Sequence, residues 1–508
     1  MTFTPTDEQS NAATLARTGS DLVIEALAGT GKTSTLRYIA DVLDDRSIQY
    51  VAFNKAIVAE ATQKFPGNVR CNTAHSLAYR AVGWRYKTRL NGERMRSDQM
   101  ARTLGADEMV VTVEGVSKRL APGFLAGKAR QLVDVFARSA DVELADFHMP
   151  TIEGIDVPTI GEDGQTRHRG PNNRAVAKYV LTLAERYWQD VLSERGRLPF
   201  SPNFYMKIWH LEGPHIDSEV IMYDEGQDAN GCMLAIVEAQ SAHAQLIFVG
   251  DSYQQIYGWN GAVNSLALAP SDLRAWLTQS FRFGPAIAAV ANRALGDLGA
   301  PVEVRGTESI PSTVGPVAEP DVILTRTNAC AVSTALRLLR DGRKVAIVCG
   351  ADEVIDFAKG AEALMEGRRS WHRDLTCFDT WGEVQHYVEF DALGGDLKLM
   401  VDLVDEFGVD AIVDGLGACI PERYADVVLS TAHKAKGREW SSVRIADDFP
   451  DPAVRPPADE EVRLLYVAVT RAMHRLDIEG VAYFQNDGPA EPEDDDEDSD
   501  EFFGPVPL

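Results

Sequence analysis

No apolar run in this 508-residue sequence approaches the ~18 residues that a membrane-spanning helix needs. The opening stretch, MTFTPTDEQSNAAT, holds neither a basic segment nor an apolar core, so no secretory leader is expected there. Cysteine is scarce. The six (Cys71, Cys232, Cys330, Cys349, Cys377, Cys419) are scattered and none forms a C-x-x-C pair, which disfavours zinc ribbons and disulfide frameworks and favours a reducing compartment. Positive charge is in deficit: 50 basic residues face 76 acidic ones, for a net charge of −26. That balance argues against a general nucleic-acid binder. Nine carboxylates and no base lie in 491–501, which leaves −17 on the rest. Any nucleic-acid surface is then a local positive groove on an acidic body.

What is present is ordinary globular material, 45% apolar and 25% charged. At roughly 150 residues per domain, the length suggests about three or four domains. Apolar strands bounded by turn residues are predicted at Asp21–Glu25, Gln49–Phe53, Glu219–Tyr223, Gln245–Val249, Asp321–Thr325, Lys344–Val348, Asp426–Ser430 and Ser442–Ala446. Helical patterns follow several of them, at Thr33–Leu43, Pro285–Leu295, Ala329–Arg340 and Glu460–Ala472. Strands alternating with helices imply parallel sheets covered on both faces. Two such blocks are expected: residues 1–76 with 200–279, and 280–350 with 421–485. Two mainly helical insertions, 77–199 (with a loop at Gly161–Asn173) and 351–420, interrupt them. The segment from 486 to 508 is acidic, cannot bury enough apolar surface to order itself, and is expected to be disordered.

Ala26-Leu27-Ala28-Gly29-Thr30-Gly31-Lys32-Thr33 follows a strand and opens a helix. Such a loop cradles phosphate with backbone N–H groups, here of Ala28, Gly29, Thr30 and Gly31, and the helix N-terminus adds positive potential. Lys32 would reach the β- and γ-phosphates of ATP. Thr33, with Ser34 beside it, would place its hydroxyl on Mg²⁺. Ala26 stands where glycine is usual. A P-loop needs an acidic partner on a neighbouring strand. Val220-Ile221-Met222-Tyr223-Asp224-Glu225 supplies it, with Asp224 for Mg²⁺ and Glu225 to polarise the attacking water.

Further segments follow in order: Thr6-Asp7-Glu8-Gln9, Phe53-Asn54-Lys55, Thr73-Ala74-His75-Ser76, Asp224-Glu225-Gly226-Gln227-Asp228, the run Val249-Gly250-Asp251-Ser252-Tyr253-Gln254-Gln255-Ile256-Tyr257-Gly258-Trp259, Ser280-Phe281-Arg282, the A-H-K-A-K-G-R-E-W stretch at 432–440, and Leu465–Ala472. With them the chain resembles superfamily 1 helicases of the UvrD/Rep type. The FYMKIWHL stretch at 204–211 and the A-H-K-A-K-G stretch are closest to the F-box DNA helicase branch, although no F-box is present.

The resemblance implies two RecA-like P-loop core domains with ATP between them, and roles for single residues. Gln9 would read the adenine edge and Phe281 would stack on its face. Gln254 would sense the γ-phosphate. Arg282 and Arg471 would be arginine fingers reaching from the second core domain. Glu439 would contact the ribose. For the strand, Trp259 is the family's base-stacking position, with Tyr257 beside it. Phe53 and Asn54 would frame a base, and Thr73, His75 and His433 would hold phosphates. Arg85, Lys87, Arg89, Arg94 and Arg96, with Trp84 and Tyr86, form a cluster that fits either a DNA path or a solvated basic strand. Two departures from the family pattern bear on DNA affinity and coupling: Asn260 where relatives have Arg, and Arg438 where they have Leu. The short second insertion predicts weak self-inhibition and modest processivity.

The expected function is an ATP- and Mg²⁺-dependent DNA helicase and translocase, moving 3′→5′ on single-stranded and tailed duplex DNA as a monomer or weakly self-associating protein, in the cytoplasm or nucleoid. Repair, recombination and replication would all suit it. The rivals are a translocase that strips proteins from DNA and a nucleotide-switched interaction protein with little unwinding. The tail, an acidic run followed by Phe502-Phe503-Gly504-Pro505-Val506-Pro507-Leu508, fits docking on a basic protein partner, competition with DNA for the chain's own groove, or plain solubility.

Overall fold

The computed structural model describes residues 4–485, apart from 53, 91, 93–94, 114–115, 150–151, 153–158, 161–165, 168–170, 259–260, 270, 272, 349, 373, 376–377, 379 and 391–394. The acidic tail, Phe53, Trp259, Asn260, Arg94 and most of the loop expected at Gly161–Asn173 therefore lie outside the described residues. The chain divides into two compact units, Met1–Pro311 and Ser312–Leu508.

The strands of the first unit are Leu22–Ala26 (β1), Ile48–Ala52 (β2), Val69–Thr73 (β3), Met109–Val113 (β4), Val116–Leu120 (β5), Thr159–Ile160 (β6), Thr166–Arg167 (β7), Val220–Tyr223 (β8), Gln245–Gly250 (β9) and Arg274–Leu277 (β10). Six of them form one parallel sheet in the order β10-β1-β9-β8-β2-β3. Strands β1, β8 and β9 are buried along their whole length, which explains their continuous apolar runs: helices cover both faces of the sheet. Alternation sorts the side chains. Leu22, Ile24, Met222, Ile247 and Val249 pack on one face against Leu36 and Ile39 of the helix Lys32–Val42. Val23, Ile221, Leu246 and Phe248 join the other core, which runs on into the first insertion through Leu132, Phe136, Val180 and Tyr187.

That insertion is mainly helical, with helices Ser97–Leu104, Pro122–Arg138 and Pro171–Leu192. The antiparallel hairpin β4–β5 interrupts them.

The second unit holds Thr313–Val314 (β11), Val322–Thr325 (β12), Val345–Val348 (β13), Val427–Thr431 (β14), Trp440–Ile445 (β15) and Ala472–Asp477 (β16). They form a parallel sheet in the order β11-β16-β15-β12-β14-β13. The helices of the second insertion gather on the helix Asn328–Arg340 through Phe357, Leu364, Val384, Val404 and Ile412.

Two details differ from expectation. The segment 280–311 packs with the first unit: Ser280 N–H donates to the Arg305 carbonyl (2.8 Å) and Arg305 N–H to the Thr278 carbonyl (2.9 Å). The helix expected to run to Ala472 stops at Val469. There the Thr470 hydroxyl donates to the Tyr466 carbonyl (2.8 Å), and β16 begins two residues later. No helix among the described residues is long and apolar enough to cross a membrane.

Candidate functional site

The site gathers where β1, β8 and β9 end, at the carboxyl edge of the first sheet, where open α/β sheets bind ligands. The loop leaving β1 turns through Gly29 (φ 77°) and Gly31 (φ 80°), a backbone region that side chains rarely adopt. Gly31 caps the helix Lys32–Val42 without a side chain, so the first-turn N–H groups of Lys32, Thr33 and Ser34 need an outside acceptor. Thr30 ties the loop back on itself, its hydroxyl donating to the Leu27 carbonyl (2.8 Å). Ala28 is fully buried.

Lys32 Nζ lies 3.5 Å from Glu225 Oε1. Burial would lower the pKa of this ammonium. The carboxylates of Glu225, Asp251 and Asp224 outweigh burial and hold it above its ordinary value, with Arg282 opposing them. Asp224 is buried. Its Oδ2 accepts from the Tyr50 hydroxyl (2.5 Å) and its Oδ1 from the Glu225 N–H (2.9 Å). Burial first, then the neighbouring Glu225, push the Asp224 carboxyl well above the usual carboxylate range. Carboxylates crowded in this way beside a P-loop fit a divalent cation, which relieves that repulsion.

Glu225 is the one non-glycine residue with positive φ (54°) among those described. Backbone strain of this kind costs about 1–3 kcal/mol and is concentrated at active sites and switch regions. A relay leads away from it. Gln227 Nε2 donates to Glu225 Oε2 (2.6 Å), Gln227 Oε1 accepts from the Asp251 N–H (3.1 Å), and Asp251 Oδ2 accepts from Gln254 Nε2 (2.6 Å). The Glu225 carboxylate and Gln254 are thus joined through Gln227 and Asp251, both wholly buried. Neither was assigned a role from sequence. Their only signal there was a place inside the DEGQD and GDSYQQ stretches.

Beside the P-loop stand the helix Asp7–Ala16 and the segment after β10. Gln9 Oε1 accepts from the Thr6 N–H (3.0 Å) and its Nε2 donates to Thr35 Oγ1 (3.1 Å). An amide has two donor hydrogens and two lone pairs, so these two bonds use one of each. A Cβ built on Gly31 would lie 3.4 Å from Gln9 Nε2 and 3.6 Å from the Phe281 ring, so both converge on the P-loop. Phe281 is 50% exposed, its ring open to stacking, while its N–H donates to the Gly29 carbonyl (2.8 Å). Glu8 fastens the two segments together. Its carboxylate accepts from Thr278 N (2.8 Å), Thr278 Oγ1 (2.6 Å) and Arg305 Nη2 (2.7 Å). Arg282 belongs to this first unit, close enough to influence Lys32. Its expected place was the start of the second core domain; here the chain around Arg305 is bonded to Thr278, just after β10.

In the second unit Arg471 is only 1% exposed. Its guanidinium donates to the carbonyls of Val467 (2.9 Å) and Arg438 (3.3 Å) and to Thr470 Oγ1 (3.0 Å). Glu439 is exposed. The unusual Arg438 pairs with Glu422 and lies 4.8 Å from the Trp440 ring centroid. His433 stands in the short helix Ala432–Ala435, capped by the Thr431 hydroxyl.

Among the strand candidates, Asn54 is exposed and caps the helix Lys55–Lys64, its Oδ1 accepting from the Ile57 N–H (3.0 Å). Thr73 is buried and caps the helix Ala74–Ala81 in a reciprocal pair with Ser76. His75 Nε2 lies 3.3 Å from Asn203 Oδ1, and burial lowers its pKa. Tyr257 is half-buried. The basic cluster does not act as one surface. Arg89 is buried and donates to four carbonyls and to Asp190. Tyr86 stacks on Phe200 (4.8 Å). Arg85 is held by Glu212 and Arg96 by Asp98. Among the described members, Trp84 (61% exposed), Lys87 and Arg96 remain on the surface.

Comparison with known proteins matches residues 9–260 to the AAA domain family and residues 426–478 to the UvrD-like helicase C-terminal domain family. F-box DNA helicase protein 1 of Schizosaccharomyces pombe is 30% identical, aligned over 90% of this chain and 55% of its own length. F-box DNA helicase 1 of Gallus gallus is 29% identical over 89% of this chain and 47% of its own. DNA helicase IV of Escherichia coli is 26% identical over 57% and 38%. The chain spans about half the length of the two F-box relatives.

Proposed function

This chain is a homologue of the F-box DNA helicases and carries a UvrD-like helicase C-terminal domain, and from that premise we propose that it is an ATP-driven DNA motor that moves 3′→5′ on single strands and unwinds tailed duplexes. The observation that carries the reading is the convergence, within one unit, of Lys32, Asp224, Glu225, Gln254 and Arg282 on the P-loop, with Gln9 and Phe281 at its nucleoside end.

In the reaction, Lys32 exchanges its contact with Glu225 for the β- and γ-phosphates. The freed Glu225 carboxylate then accepts the proton of the attacking water. Thr33 and Asp224 would hold Mg²⁺, which supplies charge neutralisation on the phosphates. Arg282 offsets charge that develops as the γ-phosphoryl group leaves. Gln254, joined to Glu225 through Asp251 and Gln227, carries the state of that phosphate to the loop bearing Tyr257. Arg471, Glu439 and His433 keep the roles the family resemblance implies, toward γ-phosphate, ribose and strand. Asn54, Thr73, His75 and Tyr257, with Phe53 and Trp259, supply the remaining strand contacts. The motor works as a monomer or weakly self-associating protein, in the cytoplasm or nucleoid.

Steady-state ATP hydrolysis with and without single-stranded DNA tests this. Hydrolysis should need Mg²⁺, rise with DNA and vanish in Lys32→Ala. Glu225→Gln should still bind ATP but turn it over about 100-fold more slowly or worse, the usual contribution of a general base. Turnover indifferent to DNA would sink the motor reading.

A further inference from the structure

Strand β1 carries one acidic residue among apolar neighbours. Glu25 is 5% exposed and sits between Gly250 of β9 and Trp276 of β10. Placing a carboxylate in a sheet interior is costly unless it is well paired. Its partners here are specific. Ser252 gives its hydroxyl to both oxygens (2.9 and 3.0 Å) and its N–H to Oε2 (3.4 Å), and Arg274 Nη1 lies 3.6 Å from Oε1. Burial, with Asp251 nearby, raises the Glu25 pKa against these partners.

Those partners lead to the two feet of one loop. Ser252 follows Asp251 and precedes Gln254, at the outgoing foot. The loop then passes through Tyr257 and returns to Asn264. It is closed on itself by Gln255 Nε2 donating to the Ala262 carbonyl (3.2 Å) and by the Ala262 N–H donating to the Tyr257 carbonyl (3.2 Å). At the returning foot, Asn264 Oδ1 lies 3.3 Å from Ser252 Oγ. Ser265 Oγ donates to the carbonyl of Gly226, next to Glu225 (2.6 Å), and Arg274 Nη2 donates to the Leu266 carbonyl (2.9 Å). Glu25 therefore holds the outgoing foot directly and the returning foot through Arg274, from the strand that feeds the P-loop.

We propose that Glu25 is a positioning residue for coupling: its carboxylate holds Ser252 at the outgoing foot of the 253–263 loop and, through Arg274, the returning foot, so that strand contact at the loop is passed to Gln254 and the P-loop instead of being absorbed by loop motion. The inference rests on the DNA-motor reading above. Glu25 touches neither ATP nor strand in this scheme.

The test is ATP hydrolysis by the full chain, with and without an oligo-dT strand, for wild type, Glu25→Ala, Glu25→Gln and Ser252→Ala, with urea unfolding measured in parallel. With the clasp open, kcat without DNA should stay within about two-fold of wild type, while stimulation by DNA falls about ten-fold, inside the usual 5–150-fold span of site-to-site coupling. The DNA concentration for half-maximal effect should hold, and Glu25→Gln, which can still bond Ser252, should recover much of the stimulation. Two outcomes overturn the proposal: Glu25→Ala and Ser252→Ala stimulated like wild type, or basal and stimulated rates falling in equal proportion, which marks a purely structural carboxylate. Should Glu25→Ala fail to fold, Ser252→Ala decides. Wild type that DNA does not stimulate refutes the motor reading itself, a result visible before any variant is compared.

Discussion

Replacing Gly29 with alanine puts a methyl group where the structure has no room for one. The backbone at Gly29 has φ 77°, and an L-residue forced into that region pays about 1–2 kcal/mol. The new Cβ would also stand 2.5 Å from Ser280 Oγ and 2.7 Å from Arg282 Cβ. Ser280 cannot retreat cheaply. It is fully buried, its N–H is bonded to the Arg305 carbonyl (2.8 Å), and its own carbonyl accepts from Thr307 Oγ1 (2.6 Å). Overpacking of this kind adds about 1–3 kcal/mol, so Gly29→Ala should cost about 2–5 kcal/mol or push residues 280–282 away from the P-loop. Gly19 provides the control. Its φ is 82° and nothing lies within 4 Å of a Cβ built there, so Gly19→Ala should show the conformational cost alone. Urea unfolding of both variants, with titration of a fluorescent ATP analogue, reads the two parts. Gly29→Ala should be less stable than Gly19→Ala and bind nucleotide more weakly. Equal stabilities with unchanged nucleotide binding would refute the packing described around Phe281 and Arg282.

Other expectations follow from single groups. Glu8→Ala removes the acceptor that ties Gln9 to the segment before Phe281; the KM for ATP should rise about ten-fold or more with kcat little changed, and an unchanged KM would refute a role for Glu8 in building the nucleoside pocket. Arg89→Met removes the donor shared by four carbonyls and the counter-charge of the half-buried Asp190 and should cost about 1–3 kcal/mol in urea unfolding, a loss that a solvated surface arginine would not produce. Lys207 is wholly buried, donating to the carbonyls of Ser139 (2.9 Å) and Asp141. Burial pulls its pKa down from 10.5 to about 8, against Cys232 and Asp141. Between those values the unfolded chain holds a proton that the folded chain has released, so this group's contribution to stability rises with pH across the window. Stability of wild type relative to Lys207→Met should increase by about 2 kcal/mol from about pH 7.5 to about pH 10, and a constant difference would refute the depressed pKa.

Much of the fold was legible because its central strands are buried on both faces and therefore read as unbroken apolar runs. β3, β10 and β16 were missed for the opposite reason. VRCNT and RAWL form the two edges of the first sheet, and AMHRLD has only the two-residue β11 beyond it, so polar residues break up the first and third and leave the second only three apolar residues. The P-loop and the Asp224-Glu225 pair were legible because each is contiguous in the chain. The Gln227–Asp251 bridge was not, since it depends on the loops after β8 and β9 lying side by side. Tyr86 and Arg89 read as surface residues because nothing in their own segment announces Phe200 and Asp190 as partners. Arg438 likewise read as a bare added charge, while its partner Glu422 sits in the 3₁₀ turn before β14.

The central claim is that ATP hydrolysis at this site drives directional movement along DNA. The most direct measurement is ATP-dependent strand displacement on matched duplexes carrying either a 3′ or a 5′ single-stranded tail, with Lys32→Ala in parallel. Displacement from the 3′-tailed duplex alone, lost in Lys32→Ala, is the predicted result. A preparation that hydrolyses ATP yet displaces neither strand, or only the 5′-tailed one, would contradict it.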